Sequence, residues 1–234
     1  MQIKILFDKE KLNETFESGW GISYLIGDVL FDTGEKPEYL LHNMEVFGVK
    51  PQDLKKVVIS HNHWDHRAGL WDLLEMNKNL EVYGCSDFYD EFKEKLKNYN
   101  FIKIEVFQEI AGNIYTTGPF KALHKGSVVL EQALILKKEE EISILCACGH
   151  MGLVDLINKA KDRFPGKKIN LLLGGFHFIE ADMRMAQYVV SETKKLGVEK
   201  IAPAHCTGNE VAQLFKDLYG KNFIIIKTGT EIQI

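Results

Sequence analysis

Four residues with metal-ligand side chains, His61, His63, Asp65 and His66, stand within the six-residue stretch HNHWDH of a 234-residue chain that has eight histidines in all. Imidazole and carboxylate at this density suit zinc, iron or manganese and do not suit calcium. In extended backbone, residues two apart face the same side, so His61 and His63 can chelate one ion. Asp65 and His66 are neighbours and are expected to point apart. They either turn together toward a second ion, or Asp65 lies between two ions. This is not the helical pair of an H-E-x-x-H site, where the histidines are four apart. Without a metal the cluster is hard to explain. Burying three imidazoles and a carboxylate unpaired is costly, and exposing them gives no reason for the histidines that follow.

Those later histidines share one context. His150 follows ISILCACG, His177 follows NLLLGGF and His205 follows KIAPA, just as His61 follows KKVVIS. Each apolar run reads as a strand, and α/β sheets bind their ligands outside the carboxyl ends of strands. Four strand exits can therefore deliver six histidines and one aspartate to a single cleft. His42, within a helical segment, and His124, in a Lys-rich turn, are read as structural.

An ion held by three histidines lowers the pKa of bound water to about 7 and polarises a carbonyl or phosphoryl oxygen. Asp65, beside His66, is the natural group to orient or deprotonate a nucleophile. Ligand imidazoles need partners that fix their tautomers, and Asp32 and Thr207-Gly208 are candidates by position. Cys148 and Cys206, close to His150 and His205, are read as buried structural thiols. Arg67 is read as pairing with a nearby acid. Trp20 is placed beside the cleft and Trp64, pointing opposite to its histidine neighbours, is expected to pack.

The elements that would position these residues alternate. IKILF, GISYLIG and VLFDTG read as strands, with Gly27-Asp28 as a tight hairpin turn between the last two. PEYLLHNMEVFG reads as a helix, with Pro near its start and Gly past its end. KKVVIS, LEVYG, FIKIEVF, ISILCACG, INLLLGG and KIAPA read as strands. GLWDLLEMN, DFYDEFKEKLKN, GLVDLINKAKDRF, DMRMAQYVVSETKKLG and NEVAQLFKDLYG read as helices. Residues 110–144 are strand-rich. The pattern predicts an α/β protein with helices covering a sheet core. No repeat, low-complexity segment or Pro-rich linker marks a boundary, so residues 1–234 read as a single domain.

Composition is that of a soluble globular chain, 45% hydrophobic and 26% charged with a net charge of −4. There is no basic excess of the kind that wraps nucleic acid. The four cysteines, Cys85, Cys146, Cys148 and Cys206, have no disulfide-framework spacing. The N-terminal run is broken at once by charges, unlike a signal peptide, and no apolar run reaches the ~18–20 residues of a membrane span. The expectation is a cytoplasmic protein with a small-molecule substrate and neither a nucleic-acid nor a membrane partner.

With these residues in hand, the sequence resembles the metallo-β-lactamase-fold superfamily. His61-x-His63-x-Asp65-His66 matches its H-x-H-x-D-H motif. LFDTG at 30–34, Gly149-His150 and Pro203-Ala204-His205 fall where further motifs belong. CACGHMGLVDLI, LLLGGFHF and PAHCTG are similar to a subgroup that includes dihydropterin–aminobenzene ribofuranosyl phosphate synthases and bacterial members known only as hydrolases. ESGWGISYLI resembles that subgroup's Glu-His-Gly-x-Ser segment, with Ser18 in place of its histidine, and EQALIL is also similar.

The resemblance implies a four-layer αββα sandwich, two mixed sheets flanked by helices. It implies His61, His63 and His150 on one ion and Asp65, His66 and His205 on a second, one or two divalent ions in all, with zinc first and iron or manganese as alternatives. No bridging aspartate stands in GGFHF. The nearest acids, Glu180 and Asp182, lie past the strand end, and His177 takes that place. The implied activity is hydrolysis of an ester, thioester, lactone or phosphoester. The alternative is a transferase condensing a dihydropterin-methyl diphosphate with an arylamine ribofuranosyl phosphate. The flavin-linked diiron oxidoreductases of the fold carry Glu where this chain has His63, and its nucleases carry a large insertion that this chain lacks.

Overall fold

Short runs of aliphatic and β-branched residues become strands, and the amphipathic segments between them become helices. The computed structural model describes residues 1–179 and 181–234; Glu180, one of the two acids nearest the missing bridging carboxylate, lies outside the described residues. In chain order the elements begin with β1 (Gln2–Phe7), β2 (Ser23–Ile26), β3 (Val29–Phe31), α1 (Pro37–Val46) and β4 (Lys56–Val58). There follow α2 (Trp64–Arg67), α3 (Leu70–Met76), β5 (Glu81–Gly84), α4 (Ser86–Leu96) and β6 (Asn100–Lys103). Then come β7 (Gln108–Ala111), β8 (Ile114–Thr116), the β9 (Phe120–His124) and β10 (Ser127–Glu131) ribbon, β11 (Leu134–Lys138) and β12 (Glu141–Cys146). The chain ends with α5 (Leu153–Arg163), β13 (Lys168–Gly175), α6 (Met183–Lys195), β14 (Val198–Ala204), α7 (Asn209–Tyr219) and β15 (Glu231–Gln233). Among the described residues no helix is long and apolar enough to cross a membrane.

The chain divides into two compact units. The first holds Met1–Glu105, Val129–Gln132 and Lys227–Ile234, and the second Val106–Val128 and Ala133–Ile226. Each is built on one mixed sheet.

The first sheet has the order β15-β1-β2-β3-β4-β5-β6. Its β15, β1, β2 and β3 pair antiparallel, and β3 through β6 pair parallel. Parallel neighbours need crossovers, and α1, the α2–α3 pair and α4 supply them. Leu40 and Met44 of α1, Leu70, Leu73 and Leu74 of α3 and Phe88 of α4 are fully buried in one cluster with Leu30, Val57 and Val82 of the strands. Burial of side chains of this size contributes roughly 1.5–3 kcal/mol each. β6 stops at Lys103 rather than running to Phe107, because it is an edge strand whose partner β5 ends at Gly84.

The second sheet has the order β14-β13-β12-β11-β8-β7. Here β12, β13 and β14 are parallel and the rest antiparallel. Leu156 and Ile157 of α5, Val190 of α6 and Val211 and Phe215 of α7 pack with Ile144, Leu172 and Ile201 of the strands. Asp182 caps α6, its side chain accepting from the backbone N–H of Arg184 at 2.8 Å and Met185 at 3.3 Å. That acid is thus engaged by a helix end.

Because the strands that carry chemistry are parallel within each sheet, their carboxyl ends share a side. The first unit places Asp32 after β3 and Ser60 to His66 after β4. The second places Cys148 and His150 after β12, His177 after β13 and His205 after β14.

Candidate metal centre

In the first unit the HNHWDH stretch is held by residues far from it in sequence. Asp32, fully buried, accepts from the Ser60 backbone N–H at 2.7 Å through Oδ1 and from the Ser60 hydroxyl at 2.6 Å through Oδ2. The hydroxyl's single proton is thereby committed. Ser60 Oγ, 2.8 Å from His61 Nδ1, therefore accepts from Nδ1–H, and His61 presents Nε2. His66 Nδ1 donates to Asp32 Oδ2 at 2.7 Å, so His66 presents Nε2 as well. One buried serine–aspartate pair thus sets the tautomers of two imidazoles.

The presented atoms pair off. His61 Nε2 lies 2.9 Å from His63 Nδ1, and His66 Nε2 lies 3.4 Å from Asp65 Oδ2. Two atoms that are each about 2.0–2.1 Å from one tetrahedral zinc stand about 3.3 Å apart, so the donor set fits divalent-metal ligation. The backbone explains the arrangement. His63 is extended, with φ −88° and ψ 147°, and α2 begins directly after it. Asp65 and His66 therefore ride on a helical turn and converge, where extended backbone predicts that they point apart. The same turn directs Trp64 outward. It is 56% exposed, and its expected packing role does not hold.

Segments quoted from the sequence explain themselves here. Thr33 N–H and Oγ1 both donate to the His66 carbonyl, at 2.8 and 3.1 Å, clamping α2. Gly21 has φ +105°, and a Cβ there would sit 1.8 Å from the Asp65 carbonyl oxygen. The GWG segment can pass over Asp65 because this residue has no side chain. Gln132 donates from Nε2 to the Ile59 carbonyl and from N–H to that of Ser60, both at 2.9 Å, bracing the strand exit. Ser60 and Gln132 were not singled out by sequence reasoning; the "IS-His" and "EQ" segments were the signal. Arg67 lies 3.8 Å from Glu91 and stacks on Phe92.

The electrostatics centre on Asp32 and His66. Burial alone would depress the His66 pKa, but the Asp32 carboxylate and, to a lesser degree, Asp65 raise it to about 10. Burial pushes the Asp32 carboxyl up in turn, against the pull of His66 and Ser60. In the metal-free protein these effects favour an imidazolium that faces Asp32 through Nδ1–H and Asp65 through Nε2–H, and metal ligation would displace the Nε2 proton.

In the second unit the strand exits bring His150 and His177 together, ring centroids 4.4 Å apart. His124, read from sequence as a turn residue, stands 4.9 Å from each. His205 is buried, at the start of a one-turn 3-10 helix. Asp32, His177 and His205 all have positive φ, at 60°, 53° and 45°. Such backbone is uncommon outside glycine, although Asn, Asp and His tolerate it best, and it clusters at functional sites. Gly174, the first residue of GGFHF, has no room for a side chain. A Cβ there, at φ +134°, would sit 1.8 Å from the Cys146 carbonyl oxygen. Thr207 donates to the Ala204 carbonyl at 2.7 Å and accepts from Phe176 N–H at 3.2 Å, so it ties strand ends and does not orient an imidazole. Cys148 and Cys206 are buried with their sulfurs 3.4 Å apart. Burial opposes ionisation of Cys206, yet the Cys148 thiol, His177 and His205 outweigh it and bring its pKa well below the ordinary thiol value. His42 Nε2 donates to the Thr15 carbonyl at 2.8 Å on an exposed face of α1, remote in role from either ligand set.

The chain belongs to the metallo-β-lactamase superfamily, whose family model matches residues 22–150, more than half of the 234. It is 27% identical to the 7,8-dihydropterin-6-methyl-4-(β-D-ribofuranosyl)-aminobenzene-5'-phosphate synthase of Methanocaldococcus jannaschii, over 94% of this chain and 92% of that protein. Among solved structures it is similar to Tm1679, described as a metal-dependent hydrolase of the β-lactamase superfamily, with TM-score 0.87 and 26% identity over 100% of this chain and 99% of the other. The fold is also that of the metallo-β-lactamase fold protein YhfI from Bacillus subtilis, with TM-score 0.69 and 19% identity over 99% of this chain and 98% of the other.

Proposed function

We propose that the protein is a metal-dependent hydrolase of a small molecule, acting on an ester, thioester, lactone or phosphoester. In this reading His61, His63 and His150 hold one divalent ion and Asp65, His66 and His205 a second, with His177 in place of the bridging carboxylate. Zinc suits the donors first, with iron and manganese as alternatives. The observation that carries the reading is the pairing of presented donor atoms at 2.9 and 3.4 Å, with the opposite nitrogens of His61 and His66 tied to one Ser60–Asp32 pair. Family membership supports joining the two ligand sets.

When bound, such ions supply Lewis acidity and an activated water. Asp65 would orient the attacking water and accept its proton. Asp32 holds the His66 ring in place and keeps its Nδ1 protonated, so that Nε2 faces the site. Ser60 does the same for His61. Neither needs to touch substrate.

A second reading is supported by the similarity to the Methanocaldococcus jannaschii synthase over 94% of the chain. Here the protein would join a dihydropterin-methyl diphosphate to an arylamine ribofuranosyl phosphate, with diphosphate leaving and no water attacking. The two separate in one experiment, run in ¹⁸O-labelled water with a panel of esters, thioesters, lactones and phosphoesters and with the two synthase substrates. Hydrolysis places solvent oxygen in the product. Coupled product free of label, with no turnover of the hydrolytic panel, would sink the hydrolase reading.

A further inference from the structure

We propose that His124, His150 and His177 form a three-imidazole metal site carried by the second unit alone. It rests on the reading above in taking His150 and His177 as ligands, and it adds a residue and an independence that the reading does not contain.

The local fold delivers His124. The β9–β10 turn runs through Lys125 and Gly126, whose φ values are 49° and 80°. Two successive positive φ values are the mark of a tight hairpin turn of type I′. His124, the last residue of β9, is thus fixed immediately before that turn. His150 follows β12 and His177 follows β13, so three separate segments converge. The ring centroids form a near-equilateral triangle of 4.9, 4.9 and 4.4 Å. One ring nitrogen from each lies within 4.8 Å of those of the others.

Ring nitrogens that close, one from each of three imidazoles, can all donate to a single cation. Neutral imidazoles suit zinc, cobalt, copper, nickel and iron. All three rings are half-buried, which leaves a route for a hydrated ion to enter. The strained backbone of His177, at φ 53°, is accounted for if the ring must be aimed at a fixed point.

The test is a cobalt(II) titration of the full chain after chelator stripping, followed by visible absorption and by elemental analysis after dialysis. The His61→Ala/His66→Ala variant removes ligands of the first unit. It is expected to retain about one cobalt per chain, with no sulfur-to-metal charge-transfer band. Adding His124→Ala should weaken that binding by at least about tenfold, since even loss of a group that merely orients a ligand costs about 10–100-fold. His124→Cys in the same background should restore affinity and introduce the sulfur band. Far-UV circular dichroism of each variant separates lost binding from lost folding.

Three results would overturn the inference while leaving the metal-dependent reading intact. They are a wild-type protein that binds cobalt but a His61→Ala/His66→Ala variant that binds none, retained binding that is indifferent to His124→Ala, or a sulfur band before any cysteine is introduced, which would assign the ion to Cys148 and Cys206. A wild-type protein that binds no ion would end both.

Discussion

Removing the Asp32 carboxylate is the sharpest perturbation of the site that leaves every proposed ligand in place. Asp32→Ala deletes the acceptor of three buried donors, Ser60 N–H, Ser60 Oγ–H and His66 Nδ1–H. In the metal-free protein it also strips a buried imidazolium of its counter-ion. Raising the His66 pKa from 6.5 to about 10 corresponds to ~5 kcal/mol at 1.36 kcal/mol per pH unit. The burial that pushes Asp32 upward subtracts from this. Breaking a buried ion pair by removing one partner costs about 3–5 kcal/mol, which agrees. The sign of the pH dependence follows. The folded pKa of His66 lies above its unfolded value, so the pair's contribution is full below pH 6.5 and is lost as pH rises toward about 10. Guanidinium unfolding of chelator-stripped wild type should therefore show stability falling across that window. Asp32→Ala should be less stable at pH 6.5 by about 3–5 kcal/mol and should show no such fall. Asp32→Asn, which keeps the shape, should lose about 10–100-fold in metal affinity. Equal stability of Asp32→Ala and wild type at pH 6.5, or an unchanged pH slope, would refute the argument.

Other consequences follow from packing and solvent access. Gly21→Ala and Gly174→Ala would each force a Cβ to within 1.8 Å of a carbonyl oxygen at positive φ, and should each cost about 2–5 kcal/mol by thermal or denaturant melting. A melting temperature unchanged from wild type would contradict the close approach. Ser60→Ala leaves Asp32 in place but removes the acceptor for His61 Nδ1–H, so metal affinity should fall about 10–100-fold with a smaller stability loss than Asp32→Ala. Equal affinity would show that Ser60 does not set the His61 tautomer. All four cysteines are 4% exposed or less, so a thiol reagent should label none in the folded protein and four after denaturation. On partial loosening Cys206 should react first, while Cys85, whose thiol burial pushes far up, should lag.

Much of the site was legible because it follows chain periodicity. Apolar runs ending in histidine marked His61, His150, His177 and His205 as strand exits, and each unit places them there. What periodicity could not show was long-range hydrogen bonding. Asp32 and Ser60 are 28 residues apart and Asp32 and His66 are 34 apart, so nothing local announces that one carboxylate serves both. The pairing of Asp65 with His66 was misjudged because α2 starts at Trp64, one residue after His63, and turns a period-two argument into a helical one. Trp64 failed for the same reason. His124 looked like a turn residue because it is the last residue of β9, directly before the Lys125-Gly126 turn. Only the hairpin's placement beside the ends of β12 and β13 brings it to His150 and His177.

The central claim is that this chain holds divalent metal through the HNHWDH residues. Elemental analysis of the purified 234-residue chain tests it most directly, with His61→Ala/Asp65→Ala measured alongside and folding checked by circular dichroism. The account predicts one or two zinc, iron or manganese ions per chain in the wild type, reduced in the variant. A folded wild-type protein that retains no stoichiometric ion after reconstitution and dialysis, or a variant that retains as many ions as the wild type, would contradict it.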